Sequence, residues 1–225
     1  MRVARENIGK RLFSFSGVIP LGFFLLAHTW ANASALRGQE AYVHTVDALT
    51  HLPLLVVLEI LLVWIPLAYH AIYGLWLLRT ALPAQAPYSR RLAVTNRVSA
   101  IVALAFIVWH VWAYRVAAAR GLDPHAFYAT LAWHLSSTWH AFPVRAVLYL
   151  VGLAATIFHF ALGAWGYGVT SGFLATKREK RRAAFGALAL GTLLFVVSSA
   201  TVVSLATGLE LSSAPESSTP CTPQK

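Results

Sequence analysis

Four of the nine histidines in this 225-residue chain stand singly within long apolar runs: His28, His70, His110 and His159. An ionisable side chain is costly at membrane depth, where it faces a bundle interior, a water-filled cavity or a partner. A lone buried histidine is ordinarily satisfied by a neighbouring hydroxyl or carbonyl, whereas four at compatible depths point to a shared task. Imidazole offers two kinds of chemistry there, proton transfer and ligation of iron, copper or zinc. The single cysteine, Cys221, lies in the polar C-terminal stretch, so a cysteine-based cluster and an internal disulfide are excluded and any metal must be held by histidine. Glu59 is the other ionisable group inside an apolar run. It precedes His70 by eleven residues, about three helical turns, and is expected on the same face, looking inward.

The elements that must position these residues follow from composition. Apolar residues make up 58% of the chain and charged ones only 12%, against about 25% charged in a soluble domain. Lipid is the solvent this balance fits. A hydrocarbon core takes roughly 20 apolar residues to cross, and runs at 12–31, 54–78, 98–118, 144–166 and 183–207 each reach that length. The expected fold is therefore an all-α membrane protein of five transmembrane helices. The first four would form the histidine-bearing bundle, as one domain over 1–211 with a disordered polar tail at 212–225. The start is too polar for the apolar core of a removable signal peptide, so the first run is expected to stay.

The net charge of +10 is not gathered on one face, as nucleic-acid binding would require. Thirteen of the eighteen basic residues flank alternate span ends: Arg2, Arg5, Lys10 and Arg11; Arg79, Arg90, Arg91 and Arg97; Lys177, Arg178, Lys180, Arg181 and Arg182. Basic segments stay on the cytoplasmic side. The N-terminus is thus expected inside and the C-terminus outside, in a multi-pass membrane protein.

With that topology, depth sorts the histidines. His28 and His110 fall in the outer half of the first and third runs, which are parallel. His70 and His159 fall in the inner half of the second and fourth. Two bis-histidine haems fit this arrangement, one outer and one inner. Small residues agree with a large flat ligand. Gly74 and Gly163 follow His70 and His159 by four residues, on nearly the same face. Gly17 and Ser99 precede His28 and His110 by eleven, roughly 16 Å along the helix, which puts them at the level of the inner haem. The outer loops at 32–53 and 119–143 carry His44, His51, His125, His134 and His140 with Trp133 and Trp139. These read as solvated histidines and interfacial tryptophans, with one or two lining a substrate entrance as the alternative.

The residues around these positions resemble a known family, the five-helix dihaem cytochrome b subunit of succinate dehydrogenase and fumarate reductase. They are Arg11-Leu12-Phe13-Ser14-Phe15-Ser16-Gly17 leading to His28-Thr29-Trp30-Ala31-Asn32; Leu58-Glu59 followed by Pro66-Leu67-Ala68-Tyr69-His70-Ala71-Ile72-Tyr73-Gly74; Asn96-Arg97-Val98-Ser99 leading to Trp109-His110; and Phe158-His159-Phe160-Ala161-Leu162-Gly163-Ala164-Trp165-Gly166. The resemblance covers about 8–182. It implies two haems b, an outer one held by His28 and His110 and an inner one by His70 and His159. It also implies a flavoprotein subunit with covalent FAD and an iron-sulfur subunit on the cytoplasmic face. Menaquinone or ubiquinone would be the membrane substrate, and this chain would carry electrons without a dicarboxylate site or catalytic residue of its own. The family's acidic quinone-site residue has no direct counterpart. Near its place stand His44, Asp47 and His51, with Glu59 deeper, and of these Glu59, His44 and His51 are the candidate quinone or proton residues.

Two other classes fit part of the pattern. A dihaem anchor of a hydrogenase, formate dehydrogenase or nitrate reductase would keep the haems, although such subunits often place two ligands on one helix. A haem-free proton-coupled transporter would use the same histidines and Glu59 as a relay.

Overall fold

The computed structural model describes residues 2–80 and 89–209. Within them the regular structure is helical, apart from an isolated bridge between Trp139 and Phe142. Five helical stretches are long and apolar enough to cross a membrane: Ile8–Arg37, Leu55–Thr80, Arg90–Ala119, Val144–Thr170 and Lys177–Thr207. They coincide with the five apolar runs, extended by a few residues at most ends. The expected tail at 212–225 lies outside the described residues.

Local chemistry sets several of the boundaries. Pro20 has no N–H to donate, so regular bonding in the first span is interrupted between Arg2–Val18 and Pro20–Ala33. Flanking bonds from the Ile19 amide to the Phe15 carbonyl (2.9 Å) and from the Phe23 amide to the Ile19 carbonyl (3.0 Å) carry the helix across. The fifth span opens with a capping box, in which Thr176 accepts from the Glu179 amide and the Glu179 carboxylate accepts from the Thr176 amide. It closes on Gly208, whose φ of 73° is a left-handed conformation that glycine adopts without a Cβ clash. Two spans contain π-helical turns, Ile60–Trp64 in the second and Trp112–Val116 in the third. Such turns are wider than α-helical ones and re-aim the residues on either side.

The fourth span packs against the first, third and fifth, while the second lies along the first. With the Glu59–Arg115 contact joining the second to the third, spans one to four follow one another around a square. The first and third face each other across one diagonal, and the second and fourth across the other.

The loops at 32–53 and 119–143 are not open solvated connections. They fold into helices Gln39–Thr50 and Phe127–Ser136, which cap one end of the bundle. Their apolar residues Tyr42 and Leu135 join Ala35, Ala146, Tyr149, Val202 and Leu205 in the main buried cluster, with Ala35 and Leu135 wholly inaccessible. The capped end is therefore the best-packed part of the protein.

Candidate metal centres

Each histidine pair spans one diagonal of the square. The His28 and His110 rings are 5.8 Å apart between centroids, at 86° to one another, and the His70 and His159 rings are 6.1 Å apart at 71°. Imidazole nitrogen binds a first-row metal at about 2.0–2.1 Å. With the ring centre about 1.2 Å behind that nitrogen, two rings on opposite sides of one metal have centres about 6.4–6.6 Å apart. Both pairs approach that separation. They do so between helices that do not pack against one another, which is how a bundle interior presents ligands to a cofactor.

Hydrogen bonding at Nδ1 determines which nitrogen is left to ligate. His70 Nδ1 lies 3.0 Å from the Phe13 carbonyl oxygen and 3.4 Å from Ser16 Oγ. His159 Nδ1 lies 3.3 Å from the Asn96 carbonyl and 3.2 Å from its Oδ1, and His110 Nδ1 is 3.3 Å from the Tyr149 hydroxyl. The carbonyl at Phe13 and both oxygens of Asn96 can only accept, so those rings carry their proton on Nδ1 and turn a lone pair outward on Nε2. Metal-ligating histidines are held in this way, with the second nitrogen donating to a fixed acceptor. His28 has the Phe24 ring stacked beside it, with centroids 5.2 Å apart.

Among the described residues no three His, Cys, Asp or Glu side chains gather as they would around an ion held by protein alone. Pairs suffice for an iron whose remaining ligands come from a porphyrin, so the donor set fits haem better than a structural zinc.

The four small residues divide. A Cβ at Gly17 would strike the His70 imidazole, so this close approach of helix to ligand requires glycine. Gly163 faces open space, one turn from His159, where a flat ligand can approach the backbone. Ser99 is buried and donates to the Asn96 carbonyl at 2.9 Å, beside the His159 contact. Gly74 faces the edge of Phe13, at 3.3 Å from where its Cβ would stand; that ring stacks on His70 with centroids 4.3 Å apart.

Glu59 meets a partner on the third span. Its carboxylate accepts from Arg115 at 2.7 Å, with 27% of the side chain exposed. A π-helical turn lies between Glu59 and His70, and its wider winding changes the angle between them from that of a regular helix. Arg115 lies within the second π-helical turn. His44 is exposed, and His51 is exposed with its Nδ1 on the Asp47 carbonyl at 2.8 Å. Among the described contacts none brings Glu59, His44 and His51 together.

Asn96, Tyr149 and Arg115 are the partners that sequence reasoning did not single out. Asn96 was visible only as part of a motif. His134, read as solvated, has its Nδ1 3.1 Å from the Tyr114 hydroxyl. Burial, followed by the Arg145 charge, lowers the His134 pKa from its ordinary value. In the same cluster burial, and then the neighbouring Tyr114, push the Tyr42 phenol up to about 12, so it is a neutral hydroxyl under all ordinary conditions.

No family model and no solved structure matches the chain. A curated protein does: the succinate dehydrogenase cytochrome b558 subunit of Bacillus subtilis (strain 168) is 39% identical over 180 residues, covering 79% of this chain and 86% of the relative.

Proposed function

The chain belongs to the succinate dehydrogenase cytochrome b subunits, and on that premise we propose that it anchors a succinate:quinone oxidoreductase and holds two haems b, one between His28 and His110 and one between His70 and His159. The observation that carries the second half is the pair of imidazole couples, 5.8 and 6.1 Å apart, each across a diagonal of the bundle. When bound, the haems supply one-electron transfer between an iron-sulfur subunit and membrane quinone. The chain's own residues fix where that happens. Phe13 and Asn96 hold two of the ligand rings in one tautomer, Tyr149 offers a third ring a hydrogen-bond partner, and Gly17 lets the first span close on His70.

The basic end of the bundle is the proposed cytoplasmic face. Its thirteen Lys and Arg residues favour retention there and complement acidic surface on the flavoprotein and iron-sulfur subunits. Quinone, menaquinone or ubiquinone, is proposed to react toward the capped end. Glu59 is the proposed proton-exchanging carboxyl there, with exposed His44 and His51 as its aqueous proton donors.

A redox-titrated visible spectrum of the purified complex tests this reading. Two resolved b-type transitions are expected. Replacing His70 or His159 by alanine should remove one of them, and replacing His28 or His110 the other. A colourless complex would overturn the proposal.

A further inference from the structure

Tyr149 is 5% exposed on the fourth span, with its hydroxyl 3.3 Å from His110 Nδ1. Tyr114 follows His110 by one turn, within the π-helical stretch Trp112–Val116, and the two rings are 5.2 Å apart. Tyr149 and Tyr114 both flank His110, with ring centroids 6.0 and 5.2 Å from it, and the two phenols are electrostatically coupled to each other. The Tyr114 hydroxyl then lies 3.1 Å from Nδ1 of His134, on the capping helix Phe127–Ser136. Imidazole, phenol, phenol and imidazole thus run in series from the middle of the third span to a helix outside the spans.

This series has one self-consistent polarity. Were His110 to ligate a metal through Nε2, its only proton would be on Nδ1 and would be donated to the Tyr149 oxygen. A phenol has one proton to give. Tyr149 would turn its own toward Tyr114, and Tyr114 would give its proton to His134, whose Nδ1 would then be a bare acceptor with the ring proton on Nε2. Each donor is used once, and the last acceptor is the half-buried imidazole of the capping helix.

The surroundings hold the terminus in place. Arg145 of the fourth span lies over the Trp133 ring at 5.6 Å and bears on His134 electrostatically. Helix Gln39–Thr50 contributes Tyr42, packed on Tyr128 with centroids 5.7 Å apart, while its Asp47 is turned to His51 and His125. From the fifth span, Val202 and Leu205 join Leu135 in the buried cluster.

We propose that Tyr149, Tyr114 and His134 form a positioning relay for His110, which sets the reduction potential of the haem that His110 holds. A chain of acceptors behind Nδ1–H makes a ligating imidazole more electron-donating, which favours the oxidised metal and lowers the potential. Hydrogen bonds in series reinforce one another, so a change two residues away reaches the ligand. The proposal rests on the haem reading of His110 given above, and it assigns roles to three residues, of which Tyr149 meets the His110 ring edge-on, Tyr114 lies tilted beside it and His134 reaches it through Tyr114.

The test is a redox titration of the purified complex, in which the His28→Ala variant identifies the transition belonging to the His28/His110 haem. Tyr114→Phe removes one oxygen and keeps the ring against His110. His134→Leu removes the terminal acceptor, and His134→Gln returns one. Tyr114→Phe and His134→Leu should each raise the potential of that haem alone. The expected rise is a three- to tenfold change in its reduced-to-oxidised ratio at fixed ambient potential, where tenfold is about 59 mV for one electron. His134→Gln should restore the unmodified value. The inference is overturned if both haems are present and neither potential moves, or if both move together as a general packing defect would make them. Absence of b-type haem from the unmodified complex defeats the functional reading itself, and so the two failures are distinguishable.

Discussion

His159 presents its Nδ1 to both oxygens of Asn96, the carbonyl at 3.3 Å and the side chain at 3.2 Å. One residue of the third span thereby orients a ligand of the fourth. Replacing Asn96 by alanine removes one acceptor and leaves the other. Losing an orienting partner typically weakens a metal site about 10–100-fold, and the surviving carbonyl places this change at the lower end. Haem titration of the purified protein should show about tenfold weaker retention at the His70/His159 site, with the His28/His110 site unchanged.

Gly17 gives a sharper test, because a methyl group there meets a ring and not a flexible side chain. Gly17→Ala should displace His70 and remove the His70/His159 transition from the visible spectrum while the other persists. Overpacking of this kind costs about 1–3 kcal/mol. Retention of both transitions at unchanged potential would show that the first span can move away from His70.

The Glu59–Arg115 pair joins the second and third spans beside both π-helical turns. Since 43% of the Arg115 side chain is exposed, the pair belongs toward the weaker end of ion-pair energetics, about 1 kcal/mol. Glu59→Gln and Arg115→Gln should each lower the thermal midpoint of the complex. The double variant should recover at least half of the summed loss, since it leaves no charge without a partner.

His134 makes stability depend on acidity. Its folded pKa lies below the ordinary 6.5 because of burial and the Arg145 charge, so the unfolded chain binds the proton more readily. Its contribution is complete above pH 6.5 and is lost as pH falls from 6.5 to the folded value. The thermal midpoint should decline over that interval, and the decline should be shallower in His134→Gln.

The five spans and the meeting of the histidines in two pairs were legible because each follows from a one-dimensional rule. Apolar length gives the five crossings, and helical rise with the alternation expected from basic flanks gives the two histidine levels. Glu59 shows where such a rule stops. Eleven residues place it on the His70 face only if winding is uniform, and five π-helical residues, ending two residues before Pro66, make it non-uniform. Tyr149 and Asn96 were hidden for another reason: each meets its histidine from a different span, and sequence spacing carries no information about azimuth between helices. His134 was misread because a histidine in a connecting segment is solvated by default, whereas this segment folds into a helix with Leu135 buried beneath it.

The diagonal placement of the histidine pairs also bears on how the protein is made. Four rods joined only along the sides of a square can shear; ties across the diagonals stop them. Here neither tie joins consecutive spans. As the chain emerges from its N-terminus, the first tie must wait for the third span and the second for the fourth. Until His159 arrives, the growing protein can hold at most one of its two cross-braces. If both pairs ligate as proposed, the order of synthesis would impose an order on cofactor capture, with the site nearer the capped end completed first.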